Sequence, residues 1–236
     1  MSEKPIFKKT QLKNGIRVLT EKHTNTHCTV AGFWLDRGTR DETPAVAGVF
    51  HLIEHLVFKG TNKLTALEIA KCMEAVGGEL NAFTSKEHTC FHAVSLKEDF
   101  EMSLDVLAQL YNEAVFSDDD FDKERNVVIQ ELLMAKDDIE DSVFEAYFAK
   151  AFGTHPLGWP ILGTEKTLSQ MTTKQVKKWY SDNYKAGNLI VSVTGNVDHD
   201  QVVKLVERYL GHLPKERIDF KRKPEKLGVW REAASI

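Results

Sequence analysis

The sequence predicts an α+β fold, a mainly antiparallel sheet with helices packed on it. Three observations carry the prediction. Strand-like and helix-like segments are mixed without a strict strand–helix–strand rhythm, which argues against a doubly wound parallel sheet. Asn14-Gly15, a tight-turn dipeptide, lies between two alternating runs and marks a hairpin. Gly77-Gly78 then stops a helical pattern and opens a second strand pair.

In chain order, residues 9–20 read as the hairpin and residues 28–35 (CTVAGFWL), β-branched and aromatic, as a strand. Thr43-Pro44 opens a helical pattern expected from about Ala45 to Phe58, with Gly60 as its stop. Residues 65–76 are amphipathic and helical. Residues 79–95 form a strand pair turning near Ser85-Lys86-Glu87, and residues 98–112 a helix. Ser117 caps a further helix, with Asp118, Asp119 and Asp120 at its positive end, running to about Lys136. More helix follows at 142–152, a loop at 154–160, a helix at 173–180, an apolar strand at 188–194 (NLIVSVT) and a last helix at 198–210. Beyond Pro214 the chain becomes charged, so residues 1–214 read as one domain and 215–236 as a linker.

With 236 residues, 42% apolar and 28% charged, the chain can bury a full core. A net charge of -4 with scattered basic residues gives no electrostatic case for nucleic acid or an anionic membrane. No apolar run has the length of a membrane span. Cys28, Cys72 and Cys90 are odd in number and lack CxxC spacing, which suits a reducing compartment. The opening MSEKPIFKKTQLKNG has neither the apolar run of a secretory leader nor the Arg/Ser-rich composition of a transit peptide. The expected location is the cytoplasm, or an organellar matrix after removal of a leader.

The segment FHLIEHLVF, residues 50–58, sets His51, Glu54 and His55 in an apolar run. At about 100° per residue, His55 falls about 40° from His51 and Glu54 about 60° to the other side, so all three share one face of a helix. Histidines at i and i+4 are about 6 Å apart and can bind one metal ion. The adjacent Glu can then take a proton from metal-bound water. The bland alternative is a polar edge on an amphipathic helix, but Leu52, Ile53, Leu56 and Val57 leave no wide polar face. His23 and His27, and His88 and His92, share the spacing but lie in extended or turn segments. There, i and i+4 are about 13 Å apart, too far to share one ion.

A catalytic zinc takes a third protein ligand. Glu131 stands in a second apolar run, and Glu124, seven residues earlier, faces within about 20° of it on a helix. A nearby cation would explain both, with Glu131 as ligand and Glu124 orienting a histidine. A charged, solvated helix face is the alternative.

HLIEHLVFKGT at residues 51–61, Glu131 far downstream, GGELNAFT at 77–84, PILG at 160–163 and NY leading into NLIVSVTGNVD together resemble the pitrilysin, insulin-degrading enzyme and mitochondrial processing peptidase family of inverzincin HxxEH zinc peptidases. The landmarks run from about residue 11 to 214. The resemblance implies the metallohydrolase fold of the processing-peptidase type. It implies Zn2+ held by His51, His55 and Glu131, with Glu54 as the general base that passes its proton to the leaving amine. It further implies Glu124 as the carboxylate behind a ligand, and Asn81, Ala82, Phe83 and Thr84 on an edge strand that receives the substrate backbone. An open strand edge suits a peptide partner on physical grounds.

The expected function is a zinc-dependent endopeptidase acting on peptides or presequence-like unfolded segments. The alternative is a non-catalytic assembly or scaffold subunit, which has no use for both Glu54 and Glu131. A structural zinc domain fits less well, because three N/O ligands leave a position open. Active members of the family have two related domains, in one chain or two subunits, and the second supplies an Arg and a Tyr. No matching pair stands in this sequence, so a second homologous domain or subunit is the expected partner. The isolated chain is expected to bind zinc and to cleave slowly.

Overall fold

The computed structural model describes residues 6–219, 222 and 224. Six strands, β1 (Ile6–Gln11), β2 (Arg17–Lys22), β3 (Cys28–Leu35), β4 (Glu79–Thr84), β5 (Thr89–Leu96) and β6 (Leu189–Gly195), make one open sheet. Their order is β1-β2-β6-β3-β5-β4. Only β2 with β6 is parallel among these pairings; the others are antiparallel. The mainly antiparallel α+β class expected from the sequence is the class observed.

The register explains where the core sits. Val18, Val191, Phe33, Phe91 and Ala82 are paired side by side across five strands, so they share one face. The first four are essentially inaccessible to solvent. On the opposite face, Val30 and Leu96 are exposed.

Eight helices accompany the sheet among the described residues: α1 (Val49–Val57), α2 (Ala66–Glu74), α3 (Phe100–Asn112), α4 (Asp118–Asp137), α5 (Ile139–Phe152), α6 (Glu165–Gln170), α7 (Thr173–Asn183) and α8 (His199–Leu210). Contacts join α3 to β3 and β5, α8 to β2, and α1 to β4, α4 and α7. Thr65 caps α2 through a reciprocal bond with Glu68, and Ser117 caps α4 through the Asp120 N–H. None of these helices is long and apolar enough to cross a membrane.

Two segments depart from the expectation. Residues 45–58 are not one helix: a 3-10 turn spans Pro44–Val46, and α1 starts only at Val49. The break is Gly48, at φ +94, where a side chain would also meet the Leu162 carbonyl. Gly163, at φ +77, is as close to Ala47. The PILG stretch is therefore the loop that packs against the start of α1. α6 was not expected; Thr164 caps it through the Thr167 N–H. Of the linker expected at 215–236, Glu216 and Ile218 hydrogen-bond Gly187 and Asn188, and most of the remainder lies outside the described residues.

α1 has an unusual N-terminal cap. The Glu42 carboxylate, from the loop before it, accepts the Gly48 N–H at 2.8 Å and the Phe50 N–H at 2.9 Å. Burial pushes the Glu42 carboxyl up to about 8, against the opposing pull of those two N–H groups. The folded chain therefore keeps a proton that the unfolded chain releases in the ordinary carboxylate range. Stability should fall as pH rises from that range to about 8, by up to about 1.4 kcal/mol per pH unit. Thermal melts across this window should show a weaker pH dependence for Glu42→Gln than for the parent. Equal slopes would contradict the assignment.

Candidate active site

α1 and α4 lie side by side, and β4 borders α1. That arrangement brings His51, His55 and Glu131 together. One ligand atom from each lies within 4.8 Å of the others, the one such cluster of metal-binding side chains among the described residues. Glu131 stands 3.7 Å from His51 Nε2 and 3.4 Å from His55 Nε2. With bonds of roughly 2.0–2.1 Å, two ligands of one tetrahedral zinc are about 3.3 Å apart. Both carboxylate–imidazole separations are near that value.

The chemistry of the donors also fits zinc. Burial, helped by the neighbouring His55, lowers the His51 pKa to about 4. At neutral pH the imidazole is uncharged and its lone pair is available to a cation. His51 Nδ1 is buried without a hydrogen-bond partner. His55 is held differently: its Nδ1 lies 3.2 Å from Glu124 Oε2. That carboxylate is buried, and its other oxygen lies 2.8 Å from Lys59 Nζ. Glu124 thus fixes the His55 ring with Nε2 facing Glu131, the usual arrangement behind a metal-binding histidine. Glu124→Gln should weaken zinc binding about 10- to 100-fold, read by competition with a metal chelator. Unchanged affinity would show that the contact does not matter.

Glu54 is not part of the converging trio. Its carboxyl is raised from the ordinary value, mainly by burial; the Thr84 hydroxyl and His55 act against the rise, and Glu131 adds to it. Both Glu54 and His51 line a cleft of about 900 Å³. Phe83 and Thr84 of β4, Glu131 of α4, Phe144 and Phe148 of α5, and the loop at Trp159 and Ile161 border the same cleft.

β4 is the edge strand on this side of the sheet. Asn81 Oδ1 accepts the Ala82 N–H at 2.8 Å. An N–H satisfied by its own neighbour's side chain points away from β5, to the open edge. By the two-residue period of a strand, Leu80 and Thr84 present backbone groups to the same edge. The side chains divide the other way: Asn81 and Phe83 are exposed, while Ala82 and Thr84 turn toward the core side. The Phe83 ring packs edge-on to Trp34 at 5.7 Å and against His88 and His92. Those two histidines belong to an aromatic cluster, and His23 pairs with Glu21, as their extended setting implies.

Sequence reasoning missed four groups here. Lys59 was detectable, one further turn along the helical stripe of His51 and His55. Glu42 and the Trp159 loop gave no local signal. Lys86 was read only as part of a turn; its ammonium group bonds the Trp159 carbonyl and lies 5.8 Å from the centroid of the Phe148 ring.

An open sheet whose edge strand flanks a His-His-Glu cluster is the framework of a zinc-metallopeptidase domain. The chain belongs to the insulinase family, peptidase family M16, whose model matches residues 17–165. A second model, the peptidase M16 inactive domain, matches residues 170–232. An uncharacterized zinc protease of Mycobacterium leprae is 42% identical over 203 residues, covering 86% of this chain and 46% of that protein. One of Bacillus subtilis is 37% identical over 206 residues, covering 87% and 50%. The crystal structure of a protease from Helicobacter pylori superimposes with a TM-score of 0.87 at 28% identity, covering 94% of this chain and 55% of that one. The first half of the periplasmic protease PqqL from Escherichia coli shares the fold, with a TM-score of 0.84 at 23% identity over 93% of this chain and 49% of that one. The chain thus spans about half the length of the curated relatives it matches.

Proposed function

We propose that this chain is the catalytic half of a zinc-dependent endopeptidase that cleaves peptides bound in extended conformation. The observation that carries the proposal is the convergence of His51, His55 and Glu131 beside Glu54, at an open strand edge. In this reading residues 1–214 form the catalytic domain, and the three converging side chains hold Zn2+. The bound ion supplies a Lewis acid that polarises the scissile carbonyl and acidifies a water.

The chain's own residues do the rest. Edge strand β4 takes the substrate as an added strand, with the Ala82 N–H exchanging the Asn81 side chain for a substrate carbonyl. Asn81, Ala82, Phe83 and Thr84 are the contact stretch. Glu54 takes the proton of the attacking water and returns it to the leaving amine. A carboxyl raised by burial suits both steps, because it takes up a proton more readily than an ordinary carboxylate and can then pass it on. Glu124 keeps the His55 ring turned inward. The aromatic wall at Phe144, Phe148 and Trp159 makes room for an apolar substrate side chain.

A second homologous domain or subunit is the proposed partner, supported by the length of the relatives and by the two-half protease PqqL. The cytoplasm is the proposed location, supported by the three unpaired cysteines. Metal analysis and a peptidase assay test the reading, on the chain alone and with a second homologous domain. One zinc per chain, with hydrolysis that rises when the second domain is added, is the expected result. Failure to bind zinc, or no hydrolysis in either form, would overturn it.

A further inference from the structure

We infer that Thr84 is a positioning residue for Glu54: its hydroxyl, placed by the edge strand, holds the carboxylate in the orientation that receives the proton of the attacking water. The inference rests on the peptidase reading above and goes beyond the backbone role that β4 plays in it.

Strand geometry sets the side chain's direction. Leu80, Ala82 and Thr84 alternate with the exposed Glu79, Asn81 and Phe83, so Thr84 turns its side chain to the face where α1 lies. There it shares the cleft wall with Glu54, and its hydroxyl is the side-chain hydrogen-bonding group that acts on the Glu54 carboxylate. The contact is not closed. Thr84 Oγ1 and Glu54 Oε2 are both buried and both lack a partner at ordinary hydrogen-bond distance. Two buried polar atoms left open on one cleft wall are costly unless they find a partner, and catalytic hydrogen bonds tighten when substrate is bound.

The two ends of the contact are also mechanically coupled. Thr84 closes β4, opposite Thr89 of β5, and its backbone lies on the edge that would carry the substrate. Seating a peptide on β4 therefore fixes the Thr84 hydroxyl over Glu54. The base would be oriented only when the edge is filled.

The experiment compares the zinc-loaded parent with Thr84→Ser, Thr84→Val and Glu54→Gln. Thr84→Val keeps the shape and the backbone and removes the hydroxyl. It should lower kcat about 10- to 100-fold, a part of the general-base contribution, with KM, zinc content and melting temperature close to the parent. Thr84→Ser should stay within about threefold of the parent kcat. Crystal structures of the parent and Thr84→Val, each with a peptide seated on β4, should show the Glu54 carboxylate in different rotamers. A parent-like kcat in Thr84→Val, a loss confined to KM, an equal loss in Thr84→Ser, or an unmoved Glu54 carboxylate would each overturn the inference. Activity retained in Glu54→Gln would instead overturn the general-base reading on which it rests.

Discussion

Glu54→Gln is expected to abolish peptide hydrolysis and leave zinc in place. The two side chains have nearly the same shape, but an amide cannot accept a proton at neutral pH. General acid–base catalysis contributes about 10²- to 10⁴-fold, so kcat should fall by at least that range. Zinc should stay because the three converging ligand atoms come from His51, His55 and Glu131, not from Glu54. Stability should not fall either. The parent carboxyl is raised mainly by burial, which means the fold holds its charged form at a cost. The amide removes that cost, so the melting temperature should match or exceed the parent's. Three readings on one protein decide the matter: kcat, zinc content and melting temperature. Turnover in a zinc-loaded, folded Glu54→Gln protein would remove the general-base role.

The parts of this site that were legible in the sequence are those set by local backbone geometry. A helix repeats every 3.6 residues whatever surrounds it, so the shared face of His51, Glu54 and His55 could be read directly. The same arithmetic aligned Glu124 with Glu131 along α4. Extended backbone, equally local, removed His88 and His92 as ligands. Turn chemistry at Asn14-Gly15 and Gly77-Gly78 located the hairpin and the start of β4.

What stayed hidden depends on long-range pairing. Alternation shows that a segment is a strand but not which strand it joins. Nothing local announces that β6 lies between β2 and β3. Yet that insertion completes the row from Val18 to Ala82 on which the edge strand depends. The true start of α1 was hidden for the same reason. Ala45 and Val46 fit a helix by propensity, but Gly48 turns left-handed against Leu162, more than a hundred residues away in the chain. Glu42 then caps a helix it precedes by several residues, and no capping rule based on nearest neighbours finds it.

His51→Ala tests the metal rather than the base, and its effect should be at least as large. Two ligands would remain, His55 and Glu131, and a catalytic zinc site is built on three. The substitution also removes a buried side chain, so lost activity alone would not separate a missing ligand from a damaged core. Zinc linkage separates them. A ligand that binds only the folded state stabilises it by about 4 kcal/mol at a thousandfold excess over its dissociation constant. The parent should therefore melt several degrees higher with zinc than after chelation, and chelation should remove its activity. His51→Ala should melt below the chelated parent because of the cavity, and zinc should move it little. If zinc raised the melting temperature of His51→Ala as much as that of the parent, the ion would be bound elsewhere, and the convergence of His51, His55 and Glu131 would no longer define the active site.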